Sequence, residues 1–260
     1  MSGTWLVAMP GKDEYYNRAK QEGYRARSAY KLAQLDDTAD LLDDGATVVD
    51  LGAAPGGWLQ VARERVGEDG RVVGVDRQRV EPLDGVETVR GDLTDEATRE
   101  HVRDAVGDAD VVLSDMAPDV TGEYELDHAR SVHLARQALE TAEALLDAGG
   151  DFAAKVFDGR DVDALRADLD ATFEYVRDVR PDASRDSSSE LYLVAKGYLT
   201  APVRAGDELT VEVDSEGTEG DGVAHVEGFA VFVPDASPGD TLAVRVTDVK
   251  PRFAFAERRD

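Results

Sequence analysis

Residues 47–58 read Thr47-Val-Val-Asp50-Leu-Gly-Ala-Ala-Pro-Gly-Gly-Trp58. The first five are mostly β-branched or apolar and predict a strand; residues 57–66 carry helical spacing. Between them, Gly52, Gly56 and Gly57 let the backbone turn sharply and approach a ligand, and the helix that follows offers free N–H groups. A tight strand-to-helix turn with no ligand is the plainer account of the same spacing. Working outward, RVVGVD (71–76), VETVR (86–90), DVVLSD (110–115) and DFAAKVF (151–157) read as further strands. Segments 95–106, 126–148 and 161–171 read as the helices between them. Such alternation predicts an α/β fold with a doubly wound, Rossmann-like parallel sheet and helices on both faces. TFEYVRDVR (172–180) and SSELYLVAKGY (188–198) would close it as an antiparallel pair.

The pattern changes after residue 198. Apolar alternation broken by Gly, Pro and Asp turns, with no helical stretch, predicts about five short strands closing a small barrel. The expected division is therefore 1–199 and 200–260.

Charge says more about the solvent than about partners. There are 29 Lys and Arg against 55 Asp and Glu, a net charge of −26. Only six residues are lysine (12, 20, 31, 155, 196 and 250), so arginine is the habitual cation. Acid excess with scarce lysine resembles proteins of salt-loving archaea. At about 1 M salt the screening length is only about 3 Å, so net charge steers little. Residues 1–31 nonetheless carry a net +3 among Tyr15, Tyr16, Tyr24 and Tyr30. That arm is either a solvated helix start or an RNA-facing segment with cations for phosphate and rings for stacking. The absence of cysteine excludes disulfides and thiolate chemistry. No apolar run approaches the roughly 20 residues of a membrane span, and the N-terminus lacks a secretory layout, so a cytoplasmic protein without membrane contact is expected.

Carboxylates recur at the predicted strand ends. Asp76 closes the second strand about 20 residues beyond the glycines, where an acid can hold ribose hydroxyls. Asp92 follows the third and can accept from an adenine amino group, and Asp115 closes the fourth. A nicotinamide dinucleotide is disfavoured, because its G-x-G-x-x-G turn would need glycine where Ala54 stands.

DLGAAPGGW (50–58), VVGVD, the GDL turn, SDMAP (114–118), KVFDG (155–159) and SRDSSSELYLVAKG (184–197) together resemble the FtsJ-type heat-shock RNA 2′-O-methyltransferases over roughly residues 12–198. That resemblance implies S-adenosylmethionine as cofactor and a uridine ribose of 23S ribosomal RNA in the large subunit as target. It implies cofactor contacts at Gly56, Trp58, Asp76, Asp92 and Asp115, and a catalytic tetrad of Lys31, Asp115, Lys155 and Glu190 with Lys155 as proton acceptor. Asp186, Ser187 and Ser188 beside Glu190 are less basic than is usual there. Residues 206–246 and the terminal VKPRFAFAERRD resemble a TRAM domain, an RNA-binding barrel; Gly222, His225 and Gly228–Val233 carry most of the likeness. A one-sided RNA face near Phe253 and Phe255, with Arg245, Lys250, Arg252, Arg258 and Arg259, is one expectation; an acidic stabilising barrel is the other.

The tetrad has a chemical reading of its own. Lys155 falls inside a predicted buried strand, where a charge is expensive unless paired. It either snorkels from the strand end or works. Arginine cannot deprotonate, whereas a lysine amine can be neutralised by burial or a neighbouring cation, which suits proton transfer. A ribose 2′-hydroxyl is a weak nucleophile that must be aligned and stripped of its proton. Lys155, influenced by Lys31 and oriented by Glu190, would do so, with Asp115 balancing charge. Rival readings are a transfer-RNA ribose methyltransferase and a non-catalytic ribosome-assembly factor. His101, His128, His133 and His225 read as helix-surface residues, with no metal site, and a monomer is favoured.

Overall fold

The computed structural model describes residues 14–184, 188–217 and 220–259. Two helices, α1 (Glu14–Glu22) and α2 (Ala29–Ala39), precede the first strand. The alternating unit follows as β1 (Thr47–Leu51), α3 (Gly57–Val66), β2 (Arg71–Asp76), β3 (Val86–Arg90), α4 (Glu96–Val106), β4 (Ala109–Ser114), α5 (Tyr124–Leu145), β5 (Leu146–Phe157) and α6 (Val162–Asp170). The antiparallel pair is β6 (Phe173–Val179) and β7 (Glu190–Tyr198). Sheet order is β3-β2-β1-β4-β5-β7-β6, parallel except at β7, which runs antiparallel to both neighbours.

Strand alternation feeds two apolar layers. Val49 and Leu51 join α4, α5 and α6 on one face, whereas Val48 joins α2 and α3 on the other. Each fully buried Val or Leu contributes about 1.5–3 kcal/mol. Helix α5 ends at Leu145 rather than 148, and β5 starts at Leu146. Gly149 adopts a positive φ of 91° just beyond, a conformation that helical backbone excludes.

The strand order reverses between β1 and β4, and in open α/β sheets ligands bind in the crevice at such a point. The glycine turn and Asp115 flank it. The remaining strands, β8 (Glu208–Glu216), β9 (Gly222–Val226), β10 (Phe229–Val233), β11 (Thr241–Val249) and β12 (Phe253–Arg258), close a barrel in the order β10-β12-β11-β8-β9. It meets the sheet at the opposite, N-terminal strand ends, where Pro251 and Phe253 share a cleft with Ala46, Asp110 and Gly150, and Lys250 Nζ lies 2.6 Å from Glu174. Lys250, Arg258 and Arg259 are engaged by carboxylates of the protein itself, so much of the basic cluster foreseen on the barrel is internally neutralised.

Candidate active site

Two cavities meet at Asp115. The larger, about 780 Å³, runs along the C-terminal ends of β1, β2 and β4 and is lined by Gly52, Ala54, Asp76, Asp92, Asp115 and Met116 among others. Gly52 holds φ at +83°, and a Cβ there would fall 2.5 Å from Met116 Cγ. Asp76 is anchored by the backbone, accepting from Ala54 N at 2.9 Å and Gln78 N at 2.6 Å. Asp92 accepts from Thr94 N and Oγ1, and these bonds hold its carboxyl below the usual range. Four lining aspartates (76, 92, 115 and 119) face Arg77 and Arg130. This acid excess suits a cationic nucleoside better than a pyrophosphate.

Gly56 and Trp58 lie outside that lining. Gly56, at φ +107°, sits against the Arg25 side chain, which caps the Glu81 and Pro82 carbonyls. Trp58 is buried on α3; its Nε1 donates to Ser28 O at 2.8 Å and its ring packs 5.9 Å from Tyr192. It therefore ties the segment before α2 to the sheet.

The smaller cavity, about 480 Å³, is lined by Ala26, Arg27, Ser28, Lys31, Asp115, Lys155, Ser188 and Glu190, so it gathers the whole tetrad. Lys155 is 6% exposed, and its Nζ donates to Asp115 Oδ1 at 2.8 Å and to the Asp115 carbonyl at 2.6 Å. Lys31 Nζ donates to Glu190 Oε2 at 2.8 Å. The pairing differs from the expected one: Asp115, not Glu190, orients Lys155. Register supplies the reason. Lys155 stands opposite Tyr192 and Phe157 opposite Glu190, so Glu190 is displaced along the ladder and reaches α2 instead.

Tyr192 is the site residue missed in the sequence. It lies two positions from Glu190 on the same strand face, a spacing that alone would have suggested it. Its OH donates to Asp115 Oδ1 at 2.7 Å, and burial, reinforced by Asp115, pushes the phenol well above its ordinary range, so it stays a donor. His128 is also a correction: it is buried rather than on the helix surface, with Nδ1 2.8 Å from Phe157 O and Nε2 accepting from Asp161 N at 3.2 Å. His225 sits on strand β9 beside Asp214. Among the described residues no group of three His, Cys, Asp or Glu side chains gathers for a metal.

Asp50 is buried beneath the site at 1% exposure, and neither carboxylate oxygen has a hydrogen-bond partner. Burial foremost, then the charges of Asp115 and Asp76, push its carboxyl well above the ordinary range. The fold thus retains a proton that the unfolded chain has released above about pH 4. Stability should fall as pH rises through that window, by at most about 1.4 kcal/mol per unit from this group. Urea unfolding of the free protein at fixed salt between acid and neutral pH tests it: Asp50→Asn should flatten the decline, and a slope equal to wild type would remove Asp50 as its source.

The basic arm is largely absorbed by the protein. Tyr30 packs against Tyr15 and Tyr24 at 5.4 and 5.5 Å, Arg18 lies over the Tyr30 ring, and Tyr24 OH donates to Glu64. Tyr16 alone of the four is an exposed large ring, and Lys12, like Asp186 and Ser187, lies outside the described residues.

The FtsJ-like methyltransferase model matches residues 24–198, and the TRAM domain model matches residues 202–258. The chain is 70% identical over 249 residues to the ribosomal RNA large subunit methyltransferase E of Natronomonas pharaonis, covering 96% of this chain and 99% of that protein. It is 65% identical over 260 residues to the Haloarcula marismortui protein of the same name, covering 96% and 99%. Among solved structures, a Plasmodium falciparum protein described as a ribosomal RNA methyltransferase aligns with a TM-score of 0.61 and 26% identity, over 67% of this chain and 98% of that one. No helix among the described residues is long and apolar enough to cross a membrane.

Proposed function

The chain belongs to the FtsJ-like methyltransferase family, and from that premise we propose that it methylates the 2′-oxygen of a uridine ribose in 23S ribosomal RNA, using S-adenosylmethionine. One observation carries the reading: Asp115 lines both the acidic nucleoside-sized cavity and the cavity holding Lys31, Lys155 and Glu190. When bound, S-adenosylmethionine supplies an electrophilic methyl group on a positively charged sulfur. Asp76 and Asp92, which line the larger cavity, would hold the ribose hydroxyls and the adenine amino group, and Asp115 would offset the positive charge. Gly56 and Trp58 support the turn from behind.

On the acceptor side, Lys31 and Glu190 form the wall against which the target ribose rests. Lys155 would take the proton of the 2′-hydroxyl as O2′ accepts the methyl group that S-adenosylmethionine would supply, its sulfur leaving as a neutral thioether. Asp115 and its own carbonyl hold Nζ in place, and Tyr192 fixes the carboxylate from the other side. In this reading residues 1–199 perform the chemistry, and the barrel of 200–260 holds RNA at a distance from it, in the cytoplasm.

Mapping ribose methylation in ribosomal and transfer RNA, with and without the gene, tests the proposal. One 2′-O-methyluridine should vanish from large-subunit RNA while transfer RNA stays unchanged. Loss confined to transfer RNA would overturn the assignment of target.

A further inference from the structure

The segment between β4 and α5 exposes apolar surface where the mechanism uses none. Val120 is 70% exposed, Tyr124 55% and Leu126 37%, so among the described residues half of the exposed large apolar side chains fall within one seven-residue stretch. Exposed apolar side chains gathered in one segment are a common mark of contact surfaces. The segment is held rigidly. The Asp127 carboxylate accepts from Thr121 N at 2.9 and 3.1 Å, from Thr121 Oγ1 at 2.8 Å and from Gly122 N at 3.0 Å.

Tyr124 is fixed most tightly of the three. Its OH donates to Asp158 O at 2.5 Å, and its ring lies within 12° of parallel to buried His128, offset at 6.4 Å between centroids. His128 is in turn held from both nitrogens, and Gly159 passes so close that a Cβ there would come 2.6 Å from His128 Nδ1. The same loop borders the tetrad: Asp158 N donates to Ser189 O, and Arg180 joins Asp158 Oδ2 to the Glu190 carbonyl. The ring is therefore linked to the rim of the acceptor cavity at Glu190 through Asp158 and Arg180.

We propose that Tyr124 is a stacking platform for an unpaired base of the RNA substrate neighbouring the methylated nucleotide. The inference rests on the reading of the chain as an RNA methyltransferase. A ribose seated in the acceptor cavity would carry its adjoining nucleotides onto the surface around it, of which this lip is one side. The cations here face carboxylates of the protein itself, Arg160 beside Glu125 and Asp161, Arg180 beside Asp158. Phosphate contacts, which weaken steeply with salt, thus have little to hold, whereas stacking on a π-face survives in a concentrated electrolyte. A ring whose OH and packing are pre-set loses little freedom on binding, which favours it as an anchor.

The test compares wild type, Tyr124→Ala and Tyr124→Phe in molar KCl. The binding probe is a fluorescent single-stranded RNA oligonucleotide spanning the nucleotide that wild type methylates, and S-adenosylmethionine binding is measured in parallel. Tyr124→Ala should weaken RNA binding roughly 5- to 150-fold, the worth of one base stacked on an aromatic ring. Tyr124→Phe should stay within about threefold of wild type, since it keeps the ring. S-adenosylmethionine affinity and kcat at saturating RNA should not change for either variant. Unchanged RNA binding by Tyr124→Ala would overturn the platform while leaving the methyltransferase intact. An effect seen only on assembled subunits and not on the oligonucleotide would overturn it in favour of a protein contact. Equal loss of kcat would overturn it in favour of a structural role under Lys155. Failure of wild type itself to methylate RNA would instead strike the underlying reading.

Discussion

Lys155→Ala is expected to slow methyl transfer about 10²- to 10⁴-fold, the usual contribution of a positioned general base, while S-adenosylmethionine binds as before. Lys155 lines the acceptor cavity and lies outside the donor cavity, so its loss should register in kcat and little in donor affinity. Lys155→Arg distinguishes a base from a mere positive charge. Arginine restores the cation and can reach Asp115, but it cannot give up its proton at any working pH. It should be nearly as inactive as alanine, and recovery to within about tenfold of wild type would recast Lys155 as an electrostatic group.

The second large effect belongs to Asp115, and it is on stability as well as rate. Its Oδ1 accepts from both Lys155 Nζ and Tyr192 OH in a region where the lysine side chain is 5% and the aspartate 18% exposed. Asp115→Asn leaves a buried ammonium without its counter-ion, and breaking one side of such a pair costs about 3–5 kcal/mol. Combining Asp115→Asn with Lys155→Met removes both charges and should restore a large part of the loss. Strict additivity of the two single changes in denaturant unfolding would mean that the pair is not coupled. Activity should fall with Asp115→Asn in every case, because the residue borders both substrates.

The elements that place these groups were readable from local chemistry. The strand–glycine–helix of residues 47–66 and the aspartates at the ends of β2 and β4 predict a crevice at the C-terminal sheet edge, and a cavity lined by Gly52, Asp76 and Asp115 opens there. The Gly/Pro/Asp-punctuated alternation beyond residue 198 likewise foretells a five-strand barrel. What local chemistry could not supply was partnership across long separations. Whether Lys155 meets Asp115 or Glu190 depends on the β5–β7 register, which sets Lys155 opposite Tyr192. Register also decides that Tyr192 joins the site. His128 reads as one polar residue on an amphipathic helix until the loop after β5 is seen to fold over it. Asp50 looks like part of the glycine motif, and only burial reveals a carboxyl without a partner. The tyrosines of the N-terminal arm look like stacking groups because composition cannot tell that they pack on one another.

The −26 charge acquires a narrower meaning from this arrangement. At high ionic strength such an acidic surface repels RNA only weakly. Of the six lysines in the chain, Lys31 and Lys155 line the acceptor cavity, and there a primary amine can do what arginine cannot.

We propose that Lys155 removes the proton of a ribose 2′-hydroxyl in large-subunit RNA. Single-turnover transfer of a labelled methyl group from S-adenosylmethionine to that RNA, by wild type and Lys155→Ala, followed by digestion to nucleosides, tests it most directly. The account predicts label in 2′-O-methyluridine with wild type and a rate at least about 100-fold lower with the variant. Label on a base rather than a ribose, or a variant rate within about tenfold of wild type, would contradict it.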